Sequence, residues 1–181
     1  MSARPEFSHT VMLGSILSHK PRKETLTADA EACAGLAQRF GLKSLSNLKG
    51  AAELSRTADN KLIKVEGKVE ADVVQPCVVS LQDVASHVVA HFETYFTEDG
   101  EELDNDPDFE FDLGDEDEPK LVEAGALDIG ELAAQYLALE IDLYPRAPGV
   151  SLPAQMAGLT GKGQVSPFEA LKNLKDKKKK E

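Results

Sequence analysis

The stretch "KLIKVEGKVEADV", residues 61–73, decides the fold class of this chain. Small or apolar residues alternate with charged residues over eleven positions, which is the period of a β-strand with one buried face. The sequence therefore predicts a long, half-buried strand. Its inward positions are Ile63, Val65, Gly67, Val69, Ala71 and Val73.

Two neighbouring segments are expected to pair with this strand. "LKGAAEL", residues 48–54, has a small or apolar residue at every second position and predicts a hairpin partner. The turn is expected in "RTADNK", residues 56–61, because Asp and Asn suit turns. "DVASHVVAHFETYF", residues 83–96, fits a strand face or a helix face, and its β-branched and aromatic content favours a strand.

Helical periodicity occurs twice. Thr27 is the expected N-cap of a first helix that ends at Gly41. "ALDIGELAAQYLALEI", residues 126–141, predicts a second helix, which Asp128 and Glu131 begin as a capping box and Pro145 and Pro148 end. The buried face of the first helix is predicted to be Cys33, Leu36, Ala37 and Phe40.

The N-terminal part is less regular. "FSHTVMLGSIL", residues 7–17, predicts a first strand, and "HKPRKE", residues 19–24, reads as a basic turn. Together these elements predict an α+β domain with two main helices and an antiparallel sheet of four to five strands that could be barrel-like. We expect one domain over residues 1–148, with an acidic insert at 98–118, followed by a linker and a Lys-rich tail over 149–181.

The acidic insert dominates the charge of the chain. It holds 13 Asp or Glu residues, whereas the whole chain has 20 basic and 32 acidic residues and a net charge of -12. Without the insert the chain is almost neutral, and its acidic total argues against general adhesion to nucleic acid. We expect a mobile loop, although Phe109, Phe111 and Leu113 alternate as a short edge strand would.

Composition excludes several classes of protein. The N-terminus lacks the pattern of a signal peptide, and no apolar run approaches the length of a membrane span. The two cysteines, Cys33 and Cys77, provide neither a disulfide framework nor a zinc-ligand spacing. The expectation is a cytoplasmic protein without membrane contact, cofactor or evident small-molecule substrate.

Candidate chemical sites give weak signals. On one strand His87 and His91 would lie roughly 13 Å apart, too far for a shared metal ion. Cys77 reads as a small, buried, hydrophobe-like thiol. The chain has no nucleophile elbow, phosphate loop or calcium-loop order, so we expect no enzyme.

Four stretches together resemble a known family. They are "KVEGKVEADVVQPCVVSLQDV", "AEACAGLAQRFGL", the second helix with its following "YPRAPG", and "SPFEALKNLK". This chain resembles the YceD family, the large ribosomal RNA subunit accumulation proteins of bacteria and plastids. Many members carry CxxC at the position of Cys77, and here Ser80 replaces the second cysteine. The positions that match family motifs are Gln75, Cys77, Leu81, Pro145, Arg146, Pro167, Phe168, Leu171 and Lys175.

The resemblance implies a non-enzymatic factor for accumulation or assembly of the large ribosomal subunit and its rRNA. The expected partner is a ribosomal protein or assembly factor, and rRNA is a further candidate. The acidic insert would dock a basic partner by charge complementarity, or it only solubilises the protein. Its candidate binding residues are Glu98, Asp99, Glu101, Glu102, Asp104, Asp106, Asp108, Asp115, Glu116, Asp117 and Glu118. The candidate RNA contacts are Lys172, Lys177, Lys178, Lys179 and Lys180.

Two other classes of function stay open at this point. An RNA-processing enzyme would require a rigid cluster of acids or histidines. A metal- or redox-sensing protein using Cys77 would require an exposed thiol with a depressed pKa.

Overall fold

The computed structural model describes residues 5–17, 20–58, 60–98, 119–122 and 125–150. Within these residues the chain forms seven strands, two α-helices and a short 3-10 helix, Leu13–Ser15. The strands and helices are β1 (Thr10–Met12), β2 (Arg22–Thr27), α1 (Ala30–Phe40), β3 (Ser44–Arg56), β4 (Leu62–Pro76), β5 (Asp83–Thr97), β6 (Lys120–Leu121), β7 (Ala126–Asp128) and α2 (Ile129–Glu140).

The main sheet has five strands in the order β2-β3-β4-β5-β6. Neighbouring strands are antiparallel except β5 and β6, which are parallel. Strands β1 and β7 form a separate antiparallel pair. The predicted α+β class is therefore confirmed. No pairing among the described residues joins the outer strands β2 and β6, so the sheet is open and the barrel-like form is not confirmed.

The hairpin predicted from alternation is present. Strand β3 pairs with β4, with Leu54 opposite Val65 and Gly50 opposite Val69. Between the two strands, Asn60 has a left-handed φ of 60°, and its N–H donates to the Thr57 carbonyl at 2.9 Å. Strand β5 is confirmed as a strand and pairs with β4 along its whole length.

Two N-terminal predictions are wrong. Residues 22–24 were predicted to belong to a basic turn. They lie instead in strand β2 (Arg22–Thr27), which pairs with β3 at the edge of the sheet. Thr27 is the last residue of that strand and does not cap α1. Asp29 is the N-cap, since its Oδ1 accepts a hydrogen bond from the Ala32 N–H at 2.8 Å. The predicted first strand is shorter than expected, because the chain turns into the 3-10 helix after Met12.

Both helices begin and end for identifiable reasons. Gly41 ends α1 with a left-handed φ of 68°, as predicted. Asp128 caps α2 by accepting hydrogen bonds from the N–H groups of Gly130 and Glu131. The Glu131 carboxylate binds the Arg39 guanidinium of α1 at 2.7 Å, and this ion pair connects the two helix ends. Helix α2 ends at Glu140, before the prolines that were expected to end it.

The core lies between one face of the main sheet and the helices. The inward residues of β4, with Leu36 of α1 and Leu137 of α2, are buried in one cluster. Gly67 makes room for Phe92, because a Cβ at Gly67 would lie 2.5 Å from the Phe92 ring. The ring of Phe92 stacks on Tyr136 with centroids 5.4 Å apart. The glycine in the alternating stretch therefore lets an aromatic ring connect the sheet to α2.

Candidate functional site

Five of the residues picked out by the family resemblance come together at one corner of the fold. Gln75 is near the end of β4, and Cys77 and Leu81 lie in the connection to β5. Pro145 and Arg146 follow α2. We call residues 77–82 the Cys77 turn and residues 141–149 the α2 exit.

Two hydrogen bonds join these two segments, and a third joins the end of β4 to the α2 exit. The Val78 N–H donates to the Pro145 carbonyl at 2.9 Å. The Ala147 N–H donates to the Cys77 sulfur at 3.3 Å. The Gln75 amide donates to the carbonyl of Asp142 at 2.9 Å. The two motifs, far apart in the sequence, therefore form one surface.

The Cys77 turn is closed by its own backbone. The Cys77 N–H donates to the Gln82 carbonyl at 2.7 Å, and the Leu81 N–H donates to the Cys77 carbonyl at 2.9 Å. Closing the turn places Leu81 at a φ of 61°. This left-handed conformation is unfavourable for a residue with a Cβ.

The Cys77 sulfur is buried and serves as a hydrogen-bond acceptor. Its side chain is 0% exposed, and Sγ accepts from the N–H groups of Val79 and Ser80, both at 3.4 Å, besides that of Ala147. Hydrogen bonding from the Ser80 hydroxyl, followed by the Ala147 N–H, lowers the pKa of Cys77 to about 6 against the opposing effect of burial.

Burial of Cys77 was predicted correctly, but its description as hydrophobe-like was wrong. The thiol is a polar centre that holds the Cys77 turn to the α2 exit. A redox or metal role would require both a depressed pKa and an accessible sulfur. The structure provides the first and not the second.

Large apolar side chains are exposed around this junction. Four of them belong to the Cys77 turn or the α2 exit, and Leu139 lies in α2 two residues before the α2 exit begins. We call this set the exposed apolar surface: Val78, Leu81, Leu139, Leu143 and Tyr144.

Arg146 adds a cation to the exposed apolar surface. Its neighbours Pro145 and Ala147 are buried and bonded to the Cys77 turn, whereas Arg146 itself is exposed. Within the part of the chain that the structure describes, the Arg146 side chain has no hydrogen bond or ion pair. The backbone is thus held on both sides of a guanidinium that is available to a partner.

One histidine of β5 interacts with a carboxylate of β4. His87 Nδ1 lies 2.7 Å from Asp72 Oδ1, and the Asn47 amide donates to the same carboxylate at 2.7 Å. These bonds lower the pKa of Asp72, with Asn47 the larger cause. Among the described residues, no group of three or more His, Cys, Asp or Glu side chains could hold a metal ion.

The solvent face of the main sheet carries an open depression of about 580 Å³. Its charged side chains are paired with one another or with neighbours on the same face. Lys64 lies 2.9 Å from both Glu66 and Glu93, while Lys23 lies 3.1 Å from Glu53. Lys68 lies 2.7 Å from Glu70. This face is self-neutralised, which distinguishes it from the surface around Arg146.

Most residues predicted to bind partners through charge fall outside the described part of the chain. Of the acidic candidates, Glu98 is described, and its carboxylate lies 3.3 Å from the Arg56 guanidinium. The remaining acids at 99–118 lie outside the described residues, as do Phe109, Phe111 and Leu113. The same is true of Pro167, Phe168, Leu171, Lys175, Lys172 and Lys177 to Lys180.

Sequence reasoning named the exposed residues Leu81 and Arg146 but missed other exposed members of the site. Val78, Leu143 and Tyr144 are apolar and lie beside predicted elements, so periodicity gives no reason to place them outside the core. A weak signal was available, because Leu143 and Tyr144 stand between a helix and a Pro-rich segment where regular packing ends.

The fold and this junction define a small α+β protein whose two separated motifs meet at one corner. A family model described as "Large ribosomal RNA subunit accumulation protein YceD" matches residues 65–175, which is more than half of the chain. The chain belongs to the YceD family. No curated protein and no solved structure matches it. None of the described helices is long and apolar enough to cross a membrane.

Proposed function

We propose that this protein is a non-enzymatic factor for the accumulation or assembly of the large ribosomal subunit and its rRNA. It acts by binding a ribosomal protein, an assembly factor or an rRNA precursor. The observation that carries this proposal is the family match over residues 65–175. The matched range includes both segments of the junction, the Cys77 turn and the α2 exit.

The chemistry of the junction supports binding. The Cys77 sulfur is buried and accepts hydrogen bonds from backbone N–H groups. The exposed side chains are aliphatic, aromatic and cationic. Tyr and Arg are enriched in protein interfaces, and apolar side chains bind by losing contact with water.

The charge distribution of the sequence supplies a second route to ribosomal partners. Ribosomal proteins are basic and rRNA is anionic. The acids at 98–118 would attract a basic protein and accelerate its association. Lys172 and Lys177 to Lys180 would contact RNA phosphates.

The test is affinity purification of the tagged, full-length protein together with sedimentation of the cell extract. One variant changes every Asp and Glu of residues 99–118 to Asn and Gln. Glu98 is kept because it pairs with Arg56. A matched control keeps the composition of residues 99–118 and shuffles their order, so that charge is retained.

We expect the intact protein to recover large-subunit proteins or precursor rRNA and to co-sediment with large-subunit precursors. Loss of these partners in the neutralised variant, with retention in the shuffled control, would identify the insert as an electrostatic docking segment. Equal recovery by all three would place binding elsewhere in the protein. Failure of the intact protein to recover any ribosomal material would reject the proposed function.

A further inference from the structure

The exposed apolar side chains of this protein are unevenly distributed. Eight large hydrophobic residues of the described chain are exposed, and five of them belong to the exposed apolar surface. Leu81 is 74% exposed, Leu143 is 79% exposed and Tyr144 is 71% exposed. Apolar exposure concentrated in one region is typical of an interaction surface, whereas scattered single residues are not.

The identity of residue 81 is not explained by the geometry of the turn. The turn requires a left-handed residue at this position, with φ at 61°. Asn or Gly adopts that conformation at lower cost than Leu. Because the Leu81 side chain is also exposed, it contributes little burial to offset the cost. Folding alone therefore gives no reason for leucine here, while binding does.

The surface is held in place before any partner arrives. The Cys77 sulfur and the Pro145 carbonyl bind the two segments together, so Val78 and Tyr144 belong to one supported structure. The Asp142 carboxylate also accepts a hydrogen bond from the Tyr144 N–H at 2.8 Å. A surface that is ordered beforehand loses less conformational entropy on binding.

The side chains favour a protein partner over RNA. Single-stranded RNA binds through stacked aromatic rings and several cations. Here the exposed aliphatic residues outnumber the single aromatic residue, Tyr144, and Arg146 is, among the described residues, the one cation beside them. Leu, Tyr and Arg together match the centre of a protein interface.

We propose that the exposed apolar surface, together with Arg146, docks one protein partner through an apolar face that carries a carboxylate. The apolar face would cover Leu81, Leu143 and Tyr144. The carboxylate would pair with the guanidinium of Arg146, which has no partner in the described part of the chain. This inference rests on the proposed function in taking the partner to be a protein of large-subunit assembly.

The experiment is site-specific photo-crosslinking of the full-length protein in cells. A photoreactive residue replaces Leu143 in one variant. In the control it replaces Met12 of β1, which is also exposed, at 59%, but lies outside the surface. We expect position 143, and not position 12, to give a crosslinked product that resists RNase and contains a single partner protein.

Two further variants test the chemistry of the contact. Leu81→Asn with Tyr144→Ser removes apolar area while keeping a residue that tolerates the left-handed turn. We expect it to lower the yield of the product about tenfold or more, as for interface hot spots. Arg146→Glu is expected to do the same, and Lys in place of the paired acid on the partner should restore the product.

Several results would overturn the inference. They are a product degraded by RNase, a product that is a second copy of this chain, equal products from positions 143 and 12, or failure of the charge reversal to restore binding. Sedimentation of the unmodified protein distinguishes failure of the docking inference from failure of the proposed function. If that protein co-sediments with large-subunit precursors and the double variant does so equally, the docking inference fails while the proposed function stands.

Discussion

The backbone N–H of Ala147 donates a hydrogen bond to the Cys77 sulfur across 3.3 Å, although the two residues are 70 positions apart in the sequence. This contact joins the connection between β4 and β5 to the segment that follows α2. It therefore determines where the exposed residues on both sides of the junction lie. Within the fold, Cys77 therefore has a positioning role.

Replacing Cys77 should weaken the fold more than replacing the other buried cysteine. Cys77→Ala leaves three backbone N–H groups without their acceptor, and the one from Ala147 is buried, where a donor without a partner is destabilising. We expect the thermal midpoint to fall by several degrees. Cys33→Ala is the control, because Cys33 is also a buried free thiol and loses mainly packing. Equal effects of the two substitutions would contradict the role assigned to the sulfur.

Cys77 should also make stability depend on pH. Its pKa is lowered from 9.0 in the unfolded reference to about 6 in the fold. A lowered pKa stabilises the fold fully above the unfolded value, and this contribution is lost as pH falls toward the folded value. Stability should therefore decrease between about pH 9 and about pH 6.

Urea unfolding across that range measures the pH effect, with Cys77→Ala as the comparison. The difference in unfolding free energy between the two proteins should shrink as the pH falls. Ultraviolet absorbance of the thiolate gives an independent titration of Cys77. A difference that stays constant with pH would show that the sulfur is a neutral thiol throughout.

Gly67 should not tolerate a side chain. A Cβ at this position would lie 2.5 Å from the Phe92 ring and 2.6 Å from the Ala51 carbonyl oxygen. The ring can shift only by disturbing its stack on Tyr136, so Gly67→Ala should cost about 1–3 kcal/mol of unfolding free energy. Gly14→Ala is the control, since no atom lies within 4 Å of its Cβ position. Denaturant unfolding measures the free energy of unfolding of both variants. Equal losses for the two substitutions would contradict the steric role assigned to Gly67.

Leu81 should show opposite effects on stability and on binding. Leu81→Asn relieves the left-handed strain and should leave the unfolding free energy unchanged or raise it by up to about 1 kcal/mol. Leu81→Val should lower it, because a β-branched residue fits that conformation poorly. A fall in the thermal midpoint for Leu81→Asn would mean that the leucine side chain contributes to folding, and the argument for a binding role would be lost.

Local patterns in the sequence were sufficient for the elements that have a strong period. The alternation over residues 63–73 predicts β4, and the same rule predicts β3. Gly41 and Asp128 could be predicted as helix ends because capping a helix depends on nearby backbone groups. Strand β2 escaped prediction because it is polar, buries only Leu26 fully, and is stabilised by pairing with β3.

For the site, too, the sequence supplied one part of the description and the tertiary structure the other. The sequence by itself picked out part of the junction, because family motifs contain Gln75, Cys77, Leu81, Pro145 and Arg146. Only the tertiary structure decided that these motifs meet, that the Cys77 sulfur accepts hydrogen bonds from both, and that the neighbouring leucines face solvent. The physical reason is that periodicity reflects interactions between residues close together in the chain. This junction is made by backbone groups whose partners are distant in sequence, and such contacts leave no periodic pattern in the sequence.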